Sequence, residues 1–452
     1  MFGSSKTFRT TLDRIRGAGV GAMLVKAGSG SFLTNVAGAG LGFASQIMLA
    51  QIMGKDQFGP YIFVVSWIAV LVIFSQAGFD RLLLRFLSVH RAQSEWPLFR
   101  GIARGSVIVA LGFGGAIGSS MAVVVWALRD RLDVELSGTF YIAAIVLPLL
   151  ALVYICQNGL QALGHPVLGQ LPILVLRPAF IIMGVGLFAL LIDSGITASR
   201  AMQINLAMTV IVLIVAMLFF RARTPLQGRS GPSAYQARMW TLTALPLVAQ
   251  AGFHMLARRT DVLMLGVFTS VVDAGVYAAA ARLAEFGGFG LLAMNAIAAP
   301  LIAVAYADGD RDRLQRIAAV TAGLALSIAL PVTIIFCTWG GVLLRVYGEG
   351  FDEAQVVLAI LAVGMLGNVL TGPVGVVLMM TGHQKQAAAA ATLTASVNVV
   401  LNLVLIPRYG SEGAAVATAI TYVLTNSLML VIVFRSLRLN PTVFGLVRRV
   451  TR

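Results

Sequence analysis

The stretch Phe253–Gly266, FHMLARRTDVLMLG, decides how this chain is read. It is mostly apolar, yet Arg258, Arg259 and Asp261 sit at its centre. Either it is a polar loop between two hydrophobic runs, or one hydrophobic run carries three charges. Length argues against the loop. A membrane span needs about 20 apolar residues, and the apolar run left after Asp261, ending near Val272, is too short to cross.

That question arises because the whole chain has the composition of a membrane protein. Of 452 residues 58% are hydrophobic and only 11% are charged, with a mean hydropathy of +0.89. Soluble domains carry roughly a quarter charged residues. Twelve apolar runs are candidate spans: roughly 30–53, 59–79, 105–128, 139–163, 168–192, 201–221, 247–270, 275–306, 316–340, 354–380, 386–407 and 413–434. The eighth and tenth are long enough to be tilted or kinked.

The net charge of +15 would suggest nucleic acid in a soluble protein. Cytoplasmic loops of membrane proteins also collect Lys and Arg, and the charge map supports that reading. With the N-terminus inside, only Lys55, Arg129, Arg131, Arg200, Arg345 and Arg408 fall outside. Arg177, Arg258, Arg259 and Arg282 fall within spans, and every other Lys and Arg falls inside. The bias predicts both termini in the cytoplasm and removes the need for a nucleic-acid partner.

The chain repeats itself. Gly59-Pro60-Tyr61 aligns with Gly275-Val276-Tyr277 at an offset of 216 residues. Gly164-His165 aligns with Gly382-His383 at 218. Two such offsets near half the length predict two six-helix lobes related by a parallel repeat. The same alignment sets Arg258, Arg259 and Asp261 opposite Gly42, Phe43 and Ser45, mid-way along the first span. The expected organisation is all-α. Residues 1–29 form a basic amphipathic segment on the cytoplasmic face, without the apolar core of a signal peptide. Residues 30–221 form the first lobe, 222–246 a cytoplasmic connector, 247–436 the second lobe, and 437–452 a basic cytoplasmic tail. Cys156 and Cys337 lie inside apolar runs, so neither a disulfide nor a metal site is expected.

Several segments, taken in order, carry a family resemblance. They are LAQIMGKDQFGPYIFVVSW, then QAGFDRLLLRF, RTDVLMLGVFTSVVDAGVYAAAARL, NAIAAPLI, GFDEAQVVLAILAVGMLGNVLTGPVGVVLMMTGHQ and NVVLNLVLIPRYGSEGAAVATAI. In this succession, which covers most of the chain, the sequence resembles Wzx-type oligosaccharide flippases of the multidrug/oligosaccharidyl-lipid/polysaccharide exporter superfamily. The resemblance implies a two-lobed transporter in the cytoplasmic membrane of a bacterium. It would move an undecaprenyl-diphosphate-linked oligosaccharide by alternating access through a cationic central cavity, among membrane lipids and beside polysaccharide polymerase machinery. Within the superfamily a lipid II flippase and an ion-coupled exporter of cationic drugs are the alternatives.

The charges inside the spans are the candidate site. A charge at the bilayer centre costs about 2.5–3.5 kcal/mol on insertion scales, so such groups are expected to face a bundle interior or a wet cavity. Arg258, Arg259, Arg177 and Arg282 are the candidates for a diphosphate, because guanidinium stays charged and offers a bidentate fork to its oxygens. A transporter of cationic drugs would need the opposite charge. Asp261 lies within one turn of Arg258 and is expected to pair with it, whereas the spacing brings no acid onto the face of Arg259. Arg282 and Glu285, at i and i+3, share a face as a structural salt bridge or as part of the site. Arg177 precedes Pro178, so it serves either the carbonyls freed at a bend or the cavity. Asn398 and Asn402 are expected to hydrogen-bond between helices. Asp80 and Arg81, at the end of the second span, form either a cytoplasmic gate or an ordinary interfacial pair. No nucleotide-binding loop is present, so no cofactor is expected, and the chain is expected to be a membrane transporter and not an enzyme. Transport then runs on the substrate gradient or on H+ or Na+, with Asp261 and Glu285 as the candidate coupling acids.

Overall fold

A computed structural model of the chain describes residues 18–191 and 195–443, with side chains described from Gly30 onward. Most of the expected 1–29 segment and the tail beyond residue 443 therefore lie outside what can be compared. Among the described residues the regular structure is helical, and nine helices are long and apolar enough to cross a membrane. Two of the nine are pairs joined across a glycine. The helix Ala18–Gln76 turns at Gly54 (φ 67°, ψ 168°), and Gln384–Leu437 turns at Gly410 (φ 55°, ψ −132°). Both φ values lie where only glycine is unstrained. The expected long spans are interrupted. The eighth breaks into a 3-10 turn at Glu285–Gly288, and the tenth breaks between Leu370 and Val374 around Gly372 (φ 74°).

The residues form two compact units. The first comprises residues up to 48, with 71–195 and 199–250. Its helices Phe79–Ala92, Trp96–Ala127 and Val134–Ala162 pack on one another. Phe79–Ala92 is amphipathic: Phe79, Leu82, Leu83 and Leu87 are buried at helical spacing, while Arg81 and Arg85 face out. Helices Trp96–Ala127 and Val134–Ala162 approach closely through small residues. A Cβ on Gly114 would sit 2.8 Å from the Pro148 backbone, and one on Gly118 2.5 Å from the Ala144 carbonyl. This is the packing that membrane helices use in place of a hydrophobic drive. The outer face of Trp96–Ala127 is apolar and exposed, with Ile108, Phe113 and Val123 on it, as a lipid-facing surface requires.

The second unit comprises residues 49–70, 196–198 and 251 onward. Residues 49–70 precede the connector in sequence yet pack here. Their Gly59 lies against Val271, Val272 and Gly275, where a Cβ would come within 2.5 Å of the Val271 carbonyl. Phe58 meets Phe351 edge to face at 5.7 Å, Lys55 Nζ meets Glu353 Oε1 at 2.7 Å, and Gln51 Nε2 donates to the Val346 carbonyl at 2.7 Å. Further along this unit, Ala298, Ile302, Leu314, Val377, Leu378 and Val433 form a buried cluster.

Candidate functional site

The opening stretch is helical throughout. Ala237–Phe268 runs continuously through Arg258, Arg259 and Asp261, so the three charges lie on a helix and not in a loop. This helix is not among the nine that are long and apolar enough to cross a membrane by composition, because Gln250, His254 and the three charges dilute its hydrophobic run.

Asp261 and Arg258, expected to pair, do not. The Asp261 carboxylate is held by three neutral donors from other helices of the second unit. Tyr277 Oη donates to Oδ2 at 2.8 Å, Thr418 Oγ1 to Oδ2 at 2.5 Å, and Asn402 Nδ2 to Oδ1 at 2.8 Å. Arg258 reaches instead to Glu285 at 3.8 Å. The i, i+3 spacing would allow the pair, but Asp261 is taken up by Tyr277, Asn402 and Thr418, while the Arg258 side chain is 62% exposed and reaches the neighbouring helix. The Asp261 carboxyl is thus satisfied by hydrogen bonds and not by an ion pair with Arg258.

The amide network around Asp261 extends further. Asn402 Nδ2 also donates to Asn398 Oδ1 at 3.0 Å, and Asn398 Nδ2 donates to Thr421 Oγ1 at 3.2 Å. Asn398 and Asn402 lie before the Gly410 turn and Thr418 and Thr421 after it, so the expected helix-to-helix bonding is present across that turn. Asn402 is buried, and its Oδ1 has no hydrogen-bond partner. Asn402 thus brings an unpartnered amide oxygen to the network that holds the Asp261 carboxyl and the Thr418 hydroxyl, and oxygens are the donors that hard cations take.

Glu285 is shared by two arginines. Arg282 Nη1 meets it at 2.5 Å, as the i, i+3 spacing predicts, and Arg258 approaches from the neighbouring helix. All three side chains are partly exposed. One carboxylate between two guanidinium groups leaves the cluster with net positive charge. Arg259, half-buried on the adjacent position, has contacts of its own. Sequence reasoning assigned no role to Tyr277 and Thr418. Tyr277 belongs to the repeated Gly-x-Tyr motif, and its counterpart Tyr61 is also buried, but the counterpart of Asp261 is Ser45, which donates to its own helix at the Gly42 carbonyl. The repeat therefore flags the tyrosine, and the Asp-for-Ser difference flags its partner. Thr418 had no such signal.

Arg177 belongs to the first unit. A π-turn, Pro172–Leu176, precedes it, and its guanidinium turns away from the carbonyls of that bend to Asn205, with Nη2 donating to Oδ1 at 3.2 Å. Its Nε is buried without a partner. Asn205 also accepts from Thr209 at 3.3 Å, and both are buried. Asp80 and Arg81 make no ion pair with each other. Asp80 accepts the backbone N–H of Arg81 at the first turn of Phe79–Ala92, and burial raises its carboxyl above the usual range.

Among the described residues the chain is a multi-pass helical protein with charges set among its helices, and comparison with known proteins gives its class, a membrane transporter. The fold is that of the multidrug/oligosaccharidyl-lipid/polysaccharide exporter superfamily. Residues 24–305 match the family described as polysaccharide biosynthesis protein, and the chain belongs to that family. Residues 246–404 also match the MatE family. The chain is 24% identical over 409 residues to a probable low-salt glycan biosynthesis flippase, Agl15, of Haloferax volcanii, covering 88% of this chain and 80% of that one. Among solved structures it is similar to an inward-facing multidrug resistance MATE family transporter (TM-score 0.70, 13% identity, 90% of this chain and 98% of that one). It is similar also to the lipid II flippase MurJ in an inward closed conformation (TM-score 0.63, 13% identity, 90% and 87%). At these identities the structural likenesses speak for the fold.

Proposed function

We propose that the chain flips an undecaprenyl-diphosphate-linked oligosaccharide from the cytoplasmic to the outer leaflet of a bacterial inner membrane, for surface polysaccharide synthesis. The observation that carries this reading is the cluster of Arg258, Arg282 and Glu285, in which two guanidinium groups share one carboxylate, with Arg259 alongside. A surplus of guanidinium suits a diphosphate, which is doubly charged and presents planar sets of acceptors. It opposes a cationic drug, so the drug-exporter alternative is disfavoured. A glycan biosynthesis flippase is also what the name of the Haloferax volcanii relative describes. A lipid II flippase shares the diphosphate, and the gene neighbourhood separates the two: glycosyltransferases and a polymerase beside this gene favour glycan export, with that polymerase as a partner. Arg177, in the first unit, is a second arginine proposed to meet the headgroup.

Transport proceeds by alternating access, with both termini cytoplasmic. H+ or Na+ coupling falls to Asp261. Asp261, Asn402 and Thr418 would hold the ion, and Glu285, already shared by two arginines, tunes the arginine cluster instead. Asp80 and Arg81 lie at the cytoplasmic end, where they border the way in.

The test is complementation of a flippase-null strain at matched protein level. Replacement of Arg258 and Arg259 together by Ala abolishes surface glycan, and replacement by Lys, which keeps charge but loses the fork, restores part of it. Wild-type glycan from the double Ala variant would remove the arginines from the site.

A further inference from the structure

A second polar site lies away from the Asp261 and Glu285 groups, at one end of the second unit. A cavity of about 590 Å³ opens where the helices Phe289–Ala307, Arg311–Leu344 and Gln384–Leu437 terminate. Its polar lining includes Arg311, His383 and Ser436. Its apolar lining includes Leu314, Leu437 and Leu439, all buried members of the apolar cluster. The volume is in the range of small-ligand sites.

The polar lining is available to a ligand. The Thr381 hydroxyl engages His383 Nδ1 at 3.1 Å, which leaves Nε2 for the cavity. The acids of the adjoining turn are directed elsewhere. Asp310 Oδ1 accepts the Arg313 backbone N–H at 2.8 Å, Asp308 lies 3.9 Å from the Arg313 guanidinium, and Asp312 has contacts of its own. Arg311 has no ion pair among the described residues.

The first unit carries a turn of the same build. Gly164 and Gly382 both have φ 84°. The following His165 and His383 donate their backbone N–H to Leu160 and Leu378, at 3.0 and 2.8 Å. The first turn is likewise flanked by arginines: Arg91 Nη1 donates to the Leu163 carbonyl at 2.8 Å, and Arg223 lies near enough for its charge to act on His165. Glu95, the acid closest to Arg91 in sequence, is taken by His90 at 2.7 Å. Positive charge thus accompanies the Gly-His turn in each unit.

We propose that the cavity lined by Arg311 and His383 binds the phosphate of an amphipathic anionic lipid, with the lipid's apolar part on Leu314, Leu437 and Leu439. Guanidinium beside an imidazole nitrogen and a hydroxyl supplies charge-assisted donors to phosphate oxygens, and the ends of apolar helices place them at headgroup depth. Lipid-borne phosphate has two sources, bulk anionic phospholipid and the polyprenyl diphosphate of the proposed substrate. The site stands whichever of them fills it.

The test is native mass spectrometry of the purified full-length protein, incubated separately with phosphatidylglycerol and with undecaprenyl diphosphate. Three variants are compared with wild type: Arg311→Gln, Arg313→Gln as a neighbouring arginine outside the cavity, and Arg258→Gln/Arg259→Gln. Arg311→Gln is expected to weaken retention of one lipid about tenfold or more, the loss of a charge-assisted contact. Arg313→Gln retains it, and the Arg258/Arg259 variant, altered in the proposed substrate site, retains phosphatidylglycerol. Loss from phosphatidylglycerol alone assigns the site to bulk lipid, and loss from the diphosphate assigns it to substrate. Equal loss from Arg311→Gln and Arg313→Gln would mean surface attraction only, and unchanged binding in Arg311→Gln would mean no site; either overturns the proposal. If only the Arg258/Arg259 variant loses the diphosphate, the substrate reading survives and this one fails. Because Arg311 is exposed, its substitution leaves the fold intact.

Discussion

Tyr277 donates a hydrogen bond to Asp261 at 2.8 Å, across the turn that joins their two helices. With Asn402 and Thr418 it surrounds a carboxylate by neutral donors. Asp261→Ala removes the shared acceptor and strands three donors, at about 1–3 kcal/mol for each one left buried and unsatisfied. A clear fall in Tm in detergent is expected. Asp261→Asn keeps an acceptor oxygen, so its Tm falls less while transport is lost, because the charge is gone. An Asp261→Asn variant that exports glycan at the wild-type rate would remove Asp261 from coupling.

The arginines that share Glu285 differ in geometry, and the difference is measurable. Arg282 meets Glu285 at 2.5 Å and Arg258 at 3.8 Å, with the Arg258 side chain the more exposed. Exposed ion pairs contribute roughly 0–1 kcal/mol. Arg258→Ala is therefore expected to leave the melting temperature nearly unchanged, and Arg282→Ala to lower it slightly. Both lose export in the complementation assay. A large stability loss from Arg258→Ala, matched by its loss of export, would reduce its role to structure.

Gly59 and Gly275 pack backbone on backbone. A Cβ on Gly275 would sit 2.5 Å from the Gly59 Cα. Overpacking of this kind costs about 1–3 kcal/mol, so Gly275→Ala and Gly59→Ala each lower the thermal midpoint. Gly323 has open space around its Cβ position. Gly323→Ala is tolerated and adds helix propensity of up to about 1 kcal/mol, which makes it the matched control.

Burial, and after it the charges of Arg223 and Arg91, hold the His165 imidazole below its ordinary pKa. The unfolded chain then binds a proton more readily than the folded one. Stability is present above the ordinary histidine pKa of about 6.5 and is lost as pH falls through it toward the lowered folded value. The Tm of wild type is expected to drop between neutral and mildly acidic pH, and that of His165→Gln to drop less. Identical profiles for the two would mean that His165 contributes no such dependence.

Hydropathy made the apolar helices legible, because twenty apolar residues have few other uses. It gave a weak signal for the helix that matters most, Ala237–Phe268, whose polar residues break the run. That helix reads as a span because the apolar run after Asp261 is too short to cross by itself, and the 216-residue offset agrees. Spacing on a single helix made the Arg282–Glu285 pair legible. It failed for Asp261, whose partners lie as far along the chain as Asn402 and Thr418. One-turn spacing says which residues are able to meet, and the helix's rotation against its neighbours says which of them do. That rotation is set by packing among distant segments. The π-turn before Arg177 was hidden for the same reason: proline announces a bend but not where the adjacent guanidinium turns.

Residues 49–70 bear on how this protein can be taken apart. They supply Ala50, Phe58 and Val64, all essentially inaccessible, to the interior of the second unit. Severing the polypeptide in the connector therefore does not yield two self-contained pieces. The downstream piece lacks a wedge of its own interior, and the upstream piece carries that wedge with nothing to cover it. Split versions are expected to recover activity only when both pieces are made in the same cell, and a downstream piece preceded by a grafted copy of 49–70 regains the larger of the two upstream segments that its unit draws on.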